Sequence, residues 1–420
     1  MTERAETNHG GDGAAAETDK AASPAMAATK RSAVMGAMFL MATSAIGPGF
    51  LTQTSAFTAQ LGAALAFAIV LSLIVDIGVQ LNVWRVMGVS GMRANELGNT
   101  VVPGLGWVMG AFVFFGGLVF NVGNIAGAGL GLNAMLGMDA TVGGLIAAGV
   151  AIVVFLSKRA GAALDKIVVF LGAVMILLTL YVAISSQPPV GEALKNVVAP
   201  EQVDVVVITT LIGGTVGGYI TFAGAHRIID SGLTGPEHVG TITRSSIAGI
   251  LVTGVMRIVL FLAVLGVVAT GVSLSQDNVA RDVFFHAAGE IGVRIFGIVL
   301  FSAGLTSVIG AAYTSVTFVT KQSTRPAVRT GITVALIAGC ALVFALLKTP
   351  PQTLLIFAGA FNGLILPIGF AVVLWVGFRR RDLLRGYRYP RWLLAVGVVV
   401  WLFTVVLGIS SVAGIAALWQ

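Results

Sequence analysis

Apolar positions in this chain fall in long blocks. They show neither the alternation of a half-buried strand nor the narrow stripe of an amphipathic helix. Eleven such segments follow one another, near 33–59, 62–84, 105–135, 141–157, 165–185, 203–228, 246–271, 291–319, 330–347, 353–377 and 392–417. A hydrocarbon layer about 30 Å thick needs about 20 residues of helix, because each residue advances about 1.5 Å. Backbone amides in hydrocarbon must bond within their own segment, which makes each block a helix. The pattern predicts an all-α integral membrane protein with about 11 transmembrane helices.

Two of the segments are interrupted. The first contains Ala45-Ile46-Gly47-Pro48-Gly49-Phe50-Leu51-Thr52-Gln53-Thr54. Pro48 removes a backbone donor and clashes with the preceding turn, and its two glycine neighbours loosen the chain further. The sixth contains Gly213-Gly214-Thr215-Val216-Gly217-Gly218-Tyr219. Broken backbone persists at membrane depth only where it is buried in protein or lines a cavity. Interrupted helices in matching positions of two halves mark the binding site of a secondary transporter. The offset of about 170 residues between the breaks predicts two five-helix repeats of opposite topology and one additional helix. The expected organisation is a first repeat over 31–190, a second over 200–378, a basic loop over 379–391 and an eleventh helix over 392–420. Close helix packing is the alternative reading of each glycine group.

Composition narrows the class. The 420 residues are 57% hydrophobic and only 10% charged, which excludes a soluble domain of this size. The net charge of +7 would suggest nucleic acid in a soluble protein, but its distribution carries another message. With the N-terminus in the cytoplasm, 20 of the 25 lysines and arginines fall in the tail or in loops on that side. That is the positive-inside bias, here of a multi-pass protein in a bacterial inner (plasma) membrane. The Arg379–Arg391 cluster then reads as a topology anchor beside anionic lipid, with no nucleic-acid partner. Residues 1–30 lack the apolar core of a signal peptide and are expected to form a disordered cytoplasmic tail. Cys340 is alone and makes no intrachain disulfide. No Gly-x-x-x-x-Gly-Lys-Ser/Thr loop is present, which argues against an ATP-driven pump. No hydrolase triad spacing emerges, so neither an enzyme nor a cofactor is expected. His9, His238 and His286 lie in the tail or loops without metal-ligand spacing, and His226, beside Arg227 and Asp230, reads as a solvated interface residue.

The interrupted motifs carry a resemblance. Gly47-Pro48-Gly49-Phe50, Asn121-Val122-Gly123-Asn124-Ile125-Ala126-Gly127 with Leu132-Asn133, Gly213-Gly214-Thr215-Val216 and Leu366-Pro367 resemble the NRAMP family of proton-coupled divalent-metal transporters. The likeness spans most of residues 33–377 and implies a LeuT-type 5+5 inverted repeat with discontinuous helices 1 and 6. It does not extend to the metal ligands. The family's first helix carries Asp-Pro-Gly-Asn, and Gly47 and Phe50 stand where its two ligands would be. The family's sixth helix carries Ala-Thr-Val-Met-Pro-His, and Gly214, Gly217, Gly218 and Tyr219 occupy those places. A family glutamine in helix ten falls at Gly359. Soft divalent metals need thioether, imidazole or carboxylate donors, so no metal-binding residues are assigned. The family's helix-three acids become Asn121 and Asn124, which do not titrate near neutral pH.

What remains is a neutral site with free helix ends, whose unpaired N–H groups favour an anion. The candidate substrate-binding residues are Gly47, Pro48, Gly49, Phe50, Gln53, Asn121, Asn124, Gly214, Gly217, Gly218 and Tyr219. The glycines are expected to leave room for something larger than an ion. Phe50 offers an apolar wall, while Tyr219 and Thr52, Gln53 and Thr54 offer hydrogen bonds; recapping of the broken backbone is the plainer role for the last three. Two charges lie at membrane depth, Asp76 in segment two and Arg257 in segment seven, counterparts in the two repeats of the implied fold. Opposite charges there suggest a coupling or gating salt bridge, static or opened during transport, with a substrate carboxylate as an alternative partner for Arg257. The expected substrate is a small organic anion, with 5-oxoproline the compound implied by likeness to NRAMP-related proteins that accompany its breakdown. A coupling ion, H⁺ or Na⁺, is the expected second partner. The alternative is a hydrated hard divalent cation: Mg²⁺ survives the loss of direct ligands better than Mn²⁺ or Fe²⁺.

Overall fold

The computed structural model describes residues 45–275, 277–320 and 324–417. The expected tail and the first part of segment one, 33–44, lie outside the described residues. Fourteen α-helices occur among them: α1 Pro48–Leu61, α2 Leu65–Ser90, α3 Ala94–Val101, α4 Leu105–Leu136, α5 Ala140–Leu156, α6 Lys158–Ser185, α7 Val190–Val198, α8 Val205–Thr215, α9 Ile220–Asp230, α10 Val239–Ala269, α11 Val279–Val319, α12 Pro326–Leu347, α13 Pro351–Arg379 and α14 Arg391–Ala417. No strand is present among the described residues.

Among the described residues eight helical stretches are long and apolar enough to cross a membrane, and the pair Phe170–Ser185 and Val190–Val198, bent by 101°, makes a ninth. The first stretch, Pro48–Ser90, holds 43 residues, about twice the length one crossing needs. A short 3₁₀ turn at Gly62–Ala64 divides it into α1 and α2. Gly62 has φ +54°, a left-handed conformation that only glycine enters without strain. Counting α1 and α2 separately and adding the 17-residue α5, the described helices fall in all eleven apolar segments, the first of which is described only from residue 45. Blocks alone did not reveal the short α3 and α7. Their amphipathic or polar sequences lie outside the apolar runs. The backbone N–H of Arg93 donates to Glu96 at 2.9 Å, capping α3. Segment eight also begins earlier than its apolar core, at Val279, with a kink at Gly289.

Both breaks exist, and the first is shifted from its expected place. Ile46 and Gly47 form the bend, whereas Pro48 and Gly49 begin α1. Proline suits a first helical position, where its missing N–H would have been unpaired anyway. The second break covers Val216–Tyr219, between α8 and α9.

Small residues let the scaffold close around these breaks. A Cβ on Gly131 of α4 would lie 2.5 Å from the Phe301 amide nitrogen of α11. One on Gly304 of α11 would lie 2.9 Å from Ala128 Cα of α4. Membrane helices gain mainly from such close contact, because lipid supplies no hydrophobic drive between them. The tight α4–α11 pair holds Asn124 and Ser307 beside the first break.

The basic loop is used within the molecule. Arg380 donates to Thr100 O at 2.6 Å, Arg385 to Ser90 O at 3.4 Å, and the Tyr389 hydroxyl to Asn82 Oδ1 at 2.6 Å. Arg380 also pairs with Asp382 at 2.8 Å and holds that carboxyl below the usual carboxylate range. At the same end Arg93 pairs with Asp230 at 2.8 Å, and Arg85 reaches Thr243 at 2.7 Å. Arginines assigned to one side by loop parity therefore meet at one end of the bundle.

Candidate functional site

Gly47 has φ −93°, extended backbone that any residue can adopt. Space, not conformation, favours glycine there: a Cβ would sit 2.8 Å from Ser307 Oγ and 3.8 Å from Asn124 Oδ1. Asn124 in turn lies beside the Tyr219 hydroxyl of the second break. The Tyr219 ring meets Phe120 edge-on, with centroids 5.5 Å apart. One buried cluster thus joins both breaks through Gly47, Asn124, Ser307 and Tyr219. Asn121, three residues before Asn124, departs from its expected place and lies beside the Cys340 thiol of α12.

Gln53 ties a second cluster. It is fully buried, and its Nε2 donates to Leu355 O of α13 at 2.7 Å. Cβ atoms on Gly214 and Gly359 would lie 2.5 Å from its Oε1 and 2.4 Å from its Nε2, and one on Gly49 would lie 3.4 Å from Nε2. The side chain of α1 fills the space that glycines leave in α8 and α13. Gly359→Ala should displace this amide and cost about 1–3 kcal/mol, as overpacking does. Thermal unfolding of Gly359→Ala, Gln53→Ala and the double variant checks this, since the two losses should be clearly non-additive. Simple additivity would mean that Gly359 serves some other contact, such as Thr210 O, 2.9 Å from the same Cβ position.

The remaining glycines of the sixth segment pack against α13. A Cβ on Gly217 would approach Gly213 O at 2.5 Å and Asn362 O at 2.8 Å. Gly218, at φ +51°, faces the Asn362 side chain, with 1.6 Å between its Cβ position and Oδ1. Among the described residues the expected roomy, glycine-lined chamber is therefore absent: protein atoms occupy the space before each of the five. The packing alternative describes Gly217 and Gly218. A cavity of about 650 Å³ does adjoin the first break, at Ile46 and Leu51, but apolar residues of α6, α10 and α11 line most of it.

Asp76 and Arg257 are both buried. They form no direct ion pair, contrary to the expected salt bridge, although each lies within the other's electrostatic reach. The Arg257 guanidinium sits over the Phe50 ring, 4.7 Å from its centroid, one helical turn beyond the first break. None of its three nitrogens finds a hydrogen-bond partner among the described residues. Asp76 lies beside Thr215, the last residue of α8 at the second break. The two charges thus attach to opposite breaks.

His226 is buried, not solvated. Its ring packs on Phe318 at 4.8 Å, and Nδ1 lies 3.1 Å from Thr317 Oγ1. Helix α9 turns it inward, which loop proximity in sequence concealed. Sequence reading also passed over Ser307 and Asn362, and named Thr215 only as part of the second break. The Asn362 amide donates to Gly116 O at 3.1 Å and Ala358 O at 2.8 Å. A polar amide inside an apolar block was the available signal for Asn362. Serine and threonine are too common in such helices to give one.

Comparison with known proteins agrees with this geometry. A family model for natural resistance-associated macrophage protein-like sequences matches residues 38–414. The uncharacterized membrane protein YcsG of Bacillus subtilis is 48% identical over 378 residues, covering 90% of this chain and 93% of its own. An uncharacterized membrane protein of Haemophilus influenzae is 47% identical over 379 residues, covering 90% and 94%. Among solved structures, a mutant of the manganese transporter of Eremococcus coleocola superposes with TM-score 0.71 at 17% identity, covering 92% of this chain and 87% of that one. MhsT in complex with L-phenylalanine superposes with TM-score 0.65 at 16% identity, covering 89% and 98%. These likenesses give the all-helical bundle a LeuT-type architecture with discontinuous first and sixth helices. The chain is a multi-pass membrane protein that belongs to the natural resistance-associated macrophage protein-like family.

Proposed function

We propose that this secondary transporter carries a small organic carboxylate, bound between the two breaks with its negative charge on Arg257. The observation that carries the reading is the Arg257 guanidinium, buried at membrane depth over Phe50 and without a hydrogen-bond partner among the described residues. A buried guanidinium without hydrogen-bond partners is costly, and it is shaped to take a carboxylate through two parallel bonds. Tyr219 and Asn124 offer a hydroxyl and an amide to the rest of the molecule, with Gln53 Oε1 as a further acceptor. The fold admits both classes of cargo, since one structural neighbour is a manganese transporter and another holds L-phenylalanine. The residues favour the second class. Among the described residues no group of three or more His, Cys, Asp or Glu gathers, and a buried arginine repels a divalent cation. 5-Oxoproline, a compact cyclic carboxylate with an amide of its own, is the first compound to test.

Uptake of labelled carboxylates, 5-oxoproline first, and of Mg²⁺ into proteoliposomes tests the reading. The native protein should take up a carboxylate. Gly47→Asp should lower that uptake more than a hundredfold, because a like charge close to the anion in a dry site costs several kcal/mol. The backbone at Gly47 tolerates the change, and the nearest contact, Ser307 Oγ, is a side-chain end. Uptake of Mg²⁺ by the native protein, improved by the substitution and without any carboxylate uptake, would replace this reading with the hydrated-cation one.

A further inference from the structure

We propose that Asp76 is the seat of a coupling proton: its carboxylate takes up one proton for each carboxylate anion held at Arg257, and releases it when the anion leaves. This rests on the substrate reading above and adds an ion and a residue to it. The first argument is hydrogen-bond chemistry. Asp76 is fully buried in α2, and neither of its oxygens has a hydrogen-bond partner among the described residues. Its polar neighbour is the Thr215 hydroxyl, whose proton is already committed to Leu211 O at 2.8 Å. An ionised carboxylate has only acceptors to offer, so acceptor faces acceptor. A protonated Asp76 supplies the missing donor, and the Thr215 oxygen accepts it. One turn along α2, Gln80 donates through Nε2 to Ser246 O at 3.2 Å and leaves its own Oε1 as a second buried acceptor.

The second argument is charge balance. Without substrate, the positive charge of Arg257 offsets that acceptor mismatch and favours the ionised Asp76, and the two charges sum to zero in a region that tolerates little net charge. A carboxylate arriving on Arg257 adds one negative charge. A proton on Asp76 restores neutrality, with no other group needed. The helices packed against α2 bring nothing that competes. Helix α10 contributes Arg257, and α8 contributes the Thr215 hydroxyl. His226 and Asp230 of α9 lie at the end that holds Arg93. Arg227 of α9, Arg244 of α10, Glu192 and Lys195 of α7, Arg379 of α13 and Arg391 of α14 are exposed. Glu237 and His238 face each other at the turn before α10, and Arg85 of α2 itself reaches Thr243. Because Asp76 adjoins Thr215 of the second break and Arg257 adjoins Phe50 of the first, proton and anion would be bound beside opposite breaks. Each site still senses the other through the mutual charge of Asp76 and Arg257.

Two measurements test this on the full-length protein. In proteoliposomes holding a pH-sensitive dye, an acid-outside gradient should drive accumulation of labelled 5-oxoproline by the native protein, with matching proton entry. Asp76→Asn should keep exchange of labelled for unlabelled 5-oxoproline, yet lose gradient-driven accumulation and proton entry at least tenfold. Asp76→Glu, which keeps a titratable carboxyl, should restore both. Persistent proton-driven accumulation in Asp76→Asn would overturn the proposal. So would accumulation driven by a Na⁺ gradient at equal pH and lost in Asp76→Asn, which would give the site to a metal ion. Infrared difference spectra between acid and alkaline pH read the residue without substrate. A protonated-carboxyl band is expected in the native protein, absent from Asp76→Asn and shifted in Asp76→Glu. A missing band overturns the proton site whatever the cargo. A band in a protein that exchanges no carboxylate refutes the substrate reading alone.

Discussion

Gly213→Ala should be among the most damaging single methyl groups that can be added to this protein. The new Cβ would lie 1.9 Å from Gly359 O, 2.3 Å from Gly363 N and 2.8 Å from Gly363 Cα. All three are backbone atoms of α13, so no rotamer change relieves the contact. Helix α8 would have to separate from α13, and that seam also holds the Gln53 amide against Gly214 and Gly359. The loss should exceed the about 1–3 kcal/mol of ordinary overpacking and appear as a collapse of folded yield and thermal stability in detergent. Gly149→Ala and Gly339→Ala provide the comparison. Both glycines are helical with no atom within 4 Å of the added Cβ, and alanine is the better helix former by about 1 kcal/mol. These two should be neutral or slightly stabilising. A Gly213→Ala protein that unfolds where the native one does would show that α8 and α13 are not held together by backbone contact.

Arg257→Met should cost about 3–5 kcal/mol at alkaline pH, where the buried Asp76 carboxylate is left without any balancing charge, and less at acid pH, where Asp76 takes up a proton. Asp76→Asn in the Arg257→Met background should recover much of that loss. The pair does not touch, so its coupling is electrostatic and passes through a poorly polarisable interior, where charges act at longer range than in water. Thermal unfolding of the two single variants and the double closes the cycle. Additive losses would show that the two charges do not sense each other, and would remove the charge-balance argument. Uptake separates this structural effect from the substrate role: Arg257→Lys keeps the charge but not the paired donors, so it should fold yet bind a carboxylate poorly.

The two charges illustrate how far sequence reading reaches. Their place at membrane depth was legible, since an ionised side chain inside an apolar block is rare enough to stand out. Their geometry was not. Helical spacing gives the face of each side chain along its own helix, but not the tilt and separation of two helices distant in the chain. Those depend on how closely α1, α2, α8 and α10 approach, and so on every small residue between them. Arg257 accordingly lies over Phe50 and not on Asp76. The same gap explains the glycines. Their number signalled a break or a close approach, but only the neighbouring atoms show that Gly217 and Gly218 serve Asn362 and the α13 backbone while Gly214 and Gly359 accommodate Gln53.

By itself, the sequence determined the class of molecule, the order of its apolar segments and the two broken helices. These follow from local rules: hydrocarbon demands closed backbone bonding over about 20 residues, and proline and glycine interrupt it wherever they occur. Tertiary structure decided which side chains share the space between the breaks. It joined Asn124 to Tyr219 and sent Asn121 to Cys340, buried His226, and folded the basic loop back onto α2 and α3. Each of those outcomes is a contact between residues far apart in the chain, set by helix separation and rotation that the whole packed bundle fixes and that no single apolar block encodes.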